Sequence, residues 1–175
     1  MIKPRKPKPA DLMATLKSLA DEDLVLLRAS LRAEMRKRGI ADSVGAVGEQ
    51  LVIEYFRKTS GLPKLSPASR NTKSVDANSN RGERYSIKAH CVTSKAKKTG
   101  TIYPDRQERD KQLFEYLLIV RLAENWSLES IHQLSWAEFV KVRSWDNCMS
   151  AWYVGISART LGAAKLIYQS PGKNA

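Results

Sequence analysis

Apolar positions recur along this chain with two different periods, and the change of period divides it into segments. Leu24, Leu27, Leu31 and Met35 follow one another at spacings of three and four, which is the stripe of an amphipathic helix. Asp21 is placed to cap its start and Gly39 to stop it. Arg36, Lys37 and Arg38 fall in the last turn, where cations suit the helix dipole. A shorter helix, about Asp11–Leu19, is expected before it, and a longer one from about Val44 to Lys58, closed by Gly61. Residues 62–92 read instead as strands and turns, punctuated by Pro63, Pro67 and the run Asn78–Gly82. From Arg84 the period is two. Arg84, Ser86, Lys88 and His90 point one way, and Tyr85, Ile87, Ala89 and Cys91 the other. This predicts a half-buried strand with an apolar back and a polar front. The apolar run Leu113–Leu122 reads as a central strand. Ser127–Leu134 and Trp152–Ile156 read as further strands and Trp136–Val142 as a helix. The four tryptophans, Trp126, Trp136, Trp145 and Trp152, are expected to be core or cap residues. The order of helix, three strands, a short helical link and another strand implies an α/β or α+β fold.

Composition adds size and a partner. A chain of 175 residues with 42% hydrophobic and 27% charged residues can bury one core and leaves little room for a second. We expect a basic tail and helical arm at 1–40, for packing or dimerisation, and a main domain at 41–175. No apolar run approaches the ~20 residues of a membrane helix. The Pro/Lys-alternating start, with Lys3, Arg5, Lys6 and Lys8, has no apolar segment behind it and does not read as a signal peptide. Cys91 and Cys148 form neither a disulfide framework nor a zinc spacing, so a reduced, cytoplasmic setting is expected. The net charge is +12, and residues 57–121 carry 15 basic against 6 acidic groups. A basic middle points to a polyanion, nucleic acid before membrane.

Three ionisable residues stand out. Glu49 shares a helix face with Val52, Ile53 and Phe56, where an acid is costly unless something pairs with it. Asp76 stands in Ser74-Val75-Asp76-Ala77, and Lys88 on the polar strand face. Each has an ordinary alternative: a first-turn acid, a turn acid and a surface lysine. The loop Thr93–Gly100 brings Lys95, Lys97 and Lys98 directly after Lys88. With Arg84 and His90, these are the expected DNA contacts.

The joint order of these residues resembles the PD-(D/E)XK nuclease superfamily, the restriction-endonuclease-like and resolvase-like group. The matching features are a helix with Gly48-Glu49, Asp76 at a strand start, a hairpin turn, and a strand carrying Ile87-Lys88. The resemblance covers roughly residues 44–122. It implies an αβββαβ core and a Mg²⁺ ion, with Mn²⁺ as a possible substitute, held by Asp76, a second acid and the Ile87 carbonyl. Lys88 would position or activate the attacking water. At one place the chain departs from the pattern. Ser86 occupies the catalytic-motif position where the family usually has Glu or Asp, and a hydroxyl is a weaker Mg²⁺ ligand than a carboxylate. Glu83 falls on the opposite strand face, so Glu49 is the better substitute. The expected function is a Mg²⁺-dependent endonuclease of restriction or repair type, acting on double-stranded DNA as a homodimer. One alternative is a catalytically lapsed nuclease fold serving as a DNA-binding or regulatory module. Another is a basic interaction protein that docks through its N-terminal arm.

Overall fold

A computed structural model describes residues 9–40, 42–69, 72–95 and 97–171. The basic tail expected at residues 1–8 lies outside the described residues. The chain divides after Asp42 into two compact units.

The first unit holds α1 (Pro9–Ser18) and α2 (Asp21–Lys37). Asp21 is not the cap expected of it. Ala20 is the N-cap, without a side-chain bond, and Asp21, Glu22 and Asp23 all fall in the first turn. There their charges meet the helix dipole directly. At the other end Gly39 takes φ +66°. Its N–H donates to Arg36 O at 3.1 Å, and the Ile40 N–H donates to Met35 O at 2.8 Å. This left-handed termination suits glycine, which has no Cβ to clash. No residue of α2 is buried. Leu24, Leu27 and Leu31 remain 37%, 42% and 57% exposed.

The second unit begins with α3 (Val44–Lys58), whose first turn is capped by Ser43 accepting from the Ala46 N–H. Next come β1 (Leu65–Pro67), β2 (Ala77–Ser79), β3 (Arg84–Cys91), β4 (Tyr116–Leu122) and β5 (Leu128–Ser135). These are followed by α4 (Trp136–Val142), β6 (Arg143–Asp146), β7 (Ala151–Val154), α5 (Ala158–Ala163) and β8 (Lys165–Gln169). The fold is mixed α/β. Its main sheet has six strands in the order β1-β2-β3-β4-β5-β8, with β6 and β7 as a separate hairpin. Among the described strands, only β3 and β4 pair in parallel. The turn expected at Asn78–Gly82 starts later, because Asn78 and Ser79 still pair in β2. The strands expected to begin at Leu113 and Ser127 start three residues and one residue later, at Tyr116 and Leu128.

Both faces of the sheet are covered. Val52, Ile53 and Phe56 of α3 pack on Tyr85, Ile87, Leu118, Val120 and Ile131. On the other face Leu117, Ile119 and Leu134 pack with Ile102, Phe114, Phe139 and Val154. This corrects the reading of β3 as a strand with a polar front. Ser86 is 0% and His90 8% exposed. The segment 98–102 and the β6–β7 hairpin lie over that front, joined by Thr99 N–H to Val154 O at 2.8 Å and Ile102 N–H to Trp152 O at 2.8 Å. A parallel β3–β4 pair needs a crossover, and an αβββαβ order places a helix there. The described part of 92–115 has no helix. Bridges from Lys98 to Gly155 and from Ile102 to Trp152 pair part of its backbone instead, and buried Ile102 and Phe114 supply the apolar contacts.

Candidate active site

Asp76 stands where β2 and β3 part. Its N–H donates to Tyr85 O at 2.8 Å, and its own carbonyl accepts from the Ala68 N–H at 3.0 Å. The backbone is thus pinned between two strands at the last rung of the ladder. Towards its N-terminus the chain leaves the sheet through Ser74, at φ +60°, while β3 runs on to Cys91. The carboxylate fills the fork left by this divergence. Asp76 Oδ2 accepts three hydrogen bonds, from Ile87 N–H at 2.6 Å, Ser86 Oγ at 3.2 Å and Lys88 Nζ at 3.1 Å. Asp76 and Lys88 form an ion pair whose side chains are only 21% and 18% exposed. Water screens such a pair little, and the cost of desolvating both charges offsets much of their attraction.

Glu49 reaches the same place from α3. With Asp76, Ile53, Arg57 and Pro67 it lines a cleft of about 470 Å³. Burial first, and the Asp76 charge second, push its carboxyl above the usual range, against the opposing pull of Lys88. The geometry therefore brings together Glu49, Asp76, Ser86, Ile87 and Lys88. Ser86 is fully buried behind Asp76 and donates to it. The Ile87 carbonyl shares its N–H's edge of β3, since both main-chain groups of a strand residue point to one side. That edge faces the fork. Glu83 stays apart, accepting from Ser79 Oγ and Tyr85 OH in the β2–β3 turn.

The residues expected to touch DNA are dispersed. Arg84 is held in a two-point pair with Glu115, at 2.8 Å between Nη2 and Oε1 and 3.2 Å between Nε and Oε2. Lys98 pairs with Asp146 at 3.0 Å and lies 4.8 Å from the Tyr153 ring centre. His90 is buried, and burial together with the nearby Lys97 and Arg121 charges lowers its pKa, so it is neutral at neutral pH. Lys95 and Lys97 are exposed. Sequence reasoning missed the connection after them. Tyr103, Arg106 and Arg109 there line a second pocket with Trp145. The signal was slight: Tyr103, Arg106 and Arg109 recur at intervals of three, in a stretch that also holds Asp105 and Glu108.

A donor set of two carboxylates and one main-chain carbonyl suits Mg²⁺, which keeps several waters and needs no all-protein cage. Among the described residues no group of three His, Cys, Asp or Glu side chains could hold a metal, so any such ion would share its shell with water or substrate. The chain matches no protein-family model and no curated protein. Among the described residues, no helix is long and apolar enough to cross a membrane.

The raised Glu49 carboxyl has a consequence for stability. The folded state holds this proton more tightly than the unfolded chain does. Stability from this group is therefore lost as pH rises from the unfolded value, 4.5, through the higher folded one. Glu49→Gln is expected to melt above wild type at pH 7 and to lose that advantage at acid pH. Thermal unfolding of both proteins across this range checks the sign.

Proposed function

We propose that the chain hydrolyses phosphodiester bonds in DNA with a divalent cation, on a restriction-endonuclease-like core. One observation carries the reading. Asp76, just before β2, and Lys88 of β3 meet at 3.1 Å in a sheet fork, beside Glu49 from a helix. The element order supports it in part: α3, three antiparallel strands, then β4 parallel to the third. The helix of an αβββαβ core between β3 and β4 is missing from the described residues, and a hairpin-paired segment takes its place.

Glu49, Asp76 and the Ile87 carbonyl are the groups that would hold Mg²⁺, which when bound polarises the phosphoryl oxygen and offsets charge gained in the transition state. Lys88 has three N–H donors and spends one on Asp76. The others are available to orient a water or a phosphoryl oxygen. Ser86 and the Ile87 N–H fix the Asp76 carboxylate, so Ser86 acts as a positioning residue. The test is supercoiled plasmid incubated with the protein in Mg²⁺, Mn²⁺ or EDTA. Nicking in the metals and none in EDTA is the expected result.

A second reading has its own observation. Lys88 is bonded directly to Asp76, and one carboxylate oxygen takes three donors. A site already neutralised in this way suits a lapsed nuclease that only binds DNA. Binding without nicking in any metal would favour it.

We also propose that α2 pairs with α2 of a second copy in antiparallel fashion. Its first turn holds Asp21, Glu22 and Asp23 and its end Arg36 and Lys37, so antiparallel pairing sets opposite charges against each other along the exposed leucine stripe. Wild type is expected to sediment as a dimer and the Leu27→Glu/Leu31→Glu double variant as a monomer. A monomeric wild type overturns the pairing.

A further inference from the structure

Lys73 and Ser74, the segment from Tyr103 to Arg109 and the β6–β7 hairpin line an open pocket of about 630 Å³ that the Asp76 chemistry does not use. Its walls are Tyr103, Pro104 and Trp145, and its cations are Lys73, Arg106 and Arg109. Tyr103 is 50% exposed, so part of its ring is open to a ligand. The Arg109 guanidinium lies 3.8 Å from the Trp145 ring centre and 4.7 Å from that of Trp152. Stacked on indole, it adds a flat cationic surface to the wall. The single acid in the lining, Asp105, has its charge taken up locally. It accepts from the Gln107 and Glu108 N–H groups and lies 3.6 Å from Lys111. The pocket therefore combines flat aromatic surface with a net excess of positive charge.

A second feature ties it to the fork. Ser74 and Ser150 both line it, and both hold positive φ, +60° and +48°. Non-glycine residues in that region are strained, and such strain collects at functional sites. Ser74 Oγ donates to Tyr103 O at 3.2 Å, so the segment leading into Asp76 is fastened to the aromatic wall. Ser74 lies two residues before Asp76.

We propose that this pocket binds an unpaired nucleotide of a DNA strand, with the base stacked on Tyr103 and on the Arg109 guanidinium that lies over Trp145, and the phosphates on Lys73 and Arg106. Aromatic faces accept any base, and cations follow the backbone, which is how single strands are held without sequence preference. In a duplex the base faces are stacked on their neighbours and cannot enter. Resting on the nuclease reading of the Asp76 site, the inference narrows its substrate to DNA with an unpaired segment next to the scissile bond, such as a flap, gap or overhang.

The test is direct binding of the full chain in EDTA, read by fluorescence anisotropy of labelled DNA, so no cleavage is needed. The probes are an oligonucleotide of about twelve thymidines, within the ~4–16-nucleotide span of a single-strand groove, and a duplex of equal length. The single strand is expected to bind more tightly. Tyr103→Ala should weaken it about 5- to 150-fold, matching the ~1–3 kcal/mol of one stacked base, and Tyr103→Phe should restore it. Tyr103→Ala should leave the salt dependence unchanged, whereas Arg106→Ala should lower the slope of log K against log [salt] by about 1. Duplex bound as tightly as single strand, with Tyr103→Ala silent, overturns the proposal. So does equal competition by poly-glutamate, which would make the pocket a site for charge alone. A failed plasmid assay with intact single-strand binding removes the nuclease reading and leaves the pocket standing.

Discussion

Asp76→Asn is expected to abolish metal-dependent nicking while leaving DNA binding in EDTA near wild type. Asparagine keeps the shape and one acceptor for the Ile87 N–H, so the fork stays closed. It removes the charge that Lys88 pairs with at 3.1 Å and that a cation would need. Loss of one preorganised charged group from a reacting centre costs about 10²–10³ in kcat, and this group serves two partners at once. The same substitution should erase any rise in melting temperature that Mg²⁺ gives the wild type, since a ligand stabilises only the state that binds it. Full activity in a folded Asp76→Asn protein would end the proposed site. Loss of activity with the Mg²⁺ shift intact would move the metal elsewhere.

The second large effect concerns a residue without a side chain. Gly48 of α3 lies so close to β3 that a Cβ there would collide with the Ala89 methyl, with Val120 close behind. Both carbons are fixed to the backbone, so neither can turn aside. The helix itself must lift, and Glu49, the next residue, moves with it. Gly48→Ala is expected to destabilise the protein by about 1–3 kcal/mol, the ordinary cost of overpacking, despite the higher helix propensity of alanine. Gly45, in the same helix, has nothing within 4 Å of the place an alanine methyl would take, and Gly45→Ala should stabilise by about 0.5–1 kcal/mol. Urea unfolding of the pair gives opposite signs if the close approach is real. Adding Ala89→Gly to Gly48→Ala should recover stability, with a coupling of roughly 0.5–3 kcal/mol. No coupling would mean that α3 and β3 do not touch there.

The elements with one clear period were legible. α3 runs from Val44 to Lys58 and α4 from Trp136 to Val142, as their apolar spacing predicts. β3 shows the alternation read from Arg84 onward, with Tyr85 and Ile87 in the core. Other elements left weaker marks. β6 and β8 mix half-buried and exposed positions without alternation, and period gives no signal for such a strand. Cap positions depended on which residue took the extended conformation, and at α2 that was Ala20, not Asp21.

Primary structure alone settled the order of Glu49, Asp76 and Lys88, the basic middle, and the apolar stripes that make one helix and two strands meet. Local patterns carry these features because each depends on residues within a turn or a rung of one another. Which charges are available was settled only by long-range packing. Arg84 and Lys98 look equivalent to Lys95 and Lys97 in the sequence, but Glu115 and Asp146 neutralise the first two from residues 31 and 48 positions away. Packing also buries Ser86 behind Asp76, because segment 98–102 and a hairpin far downstream fold over the polar face of β3. Tyr103, Arg109 and Trp145 become one pocket only through that same long-range pairing. Burial and ion pairing depend on what the chain brings back from far away, and no local period records that.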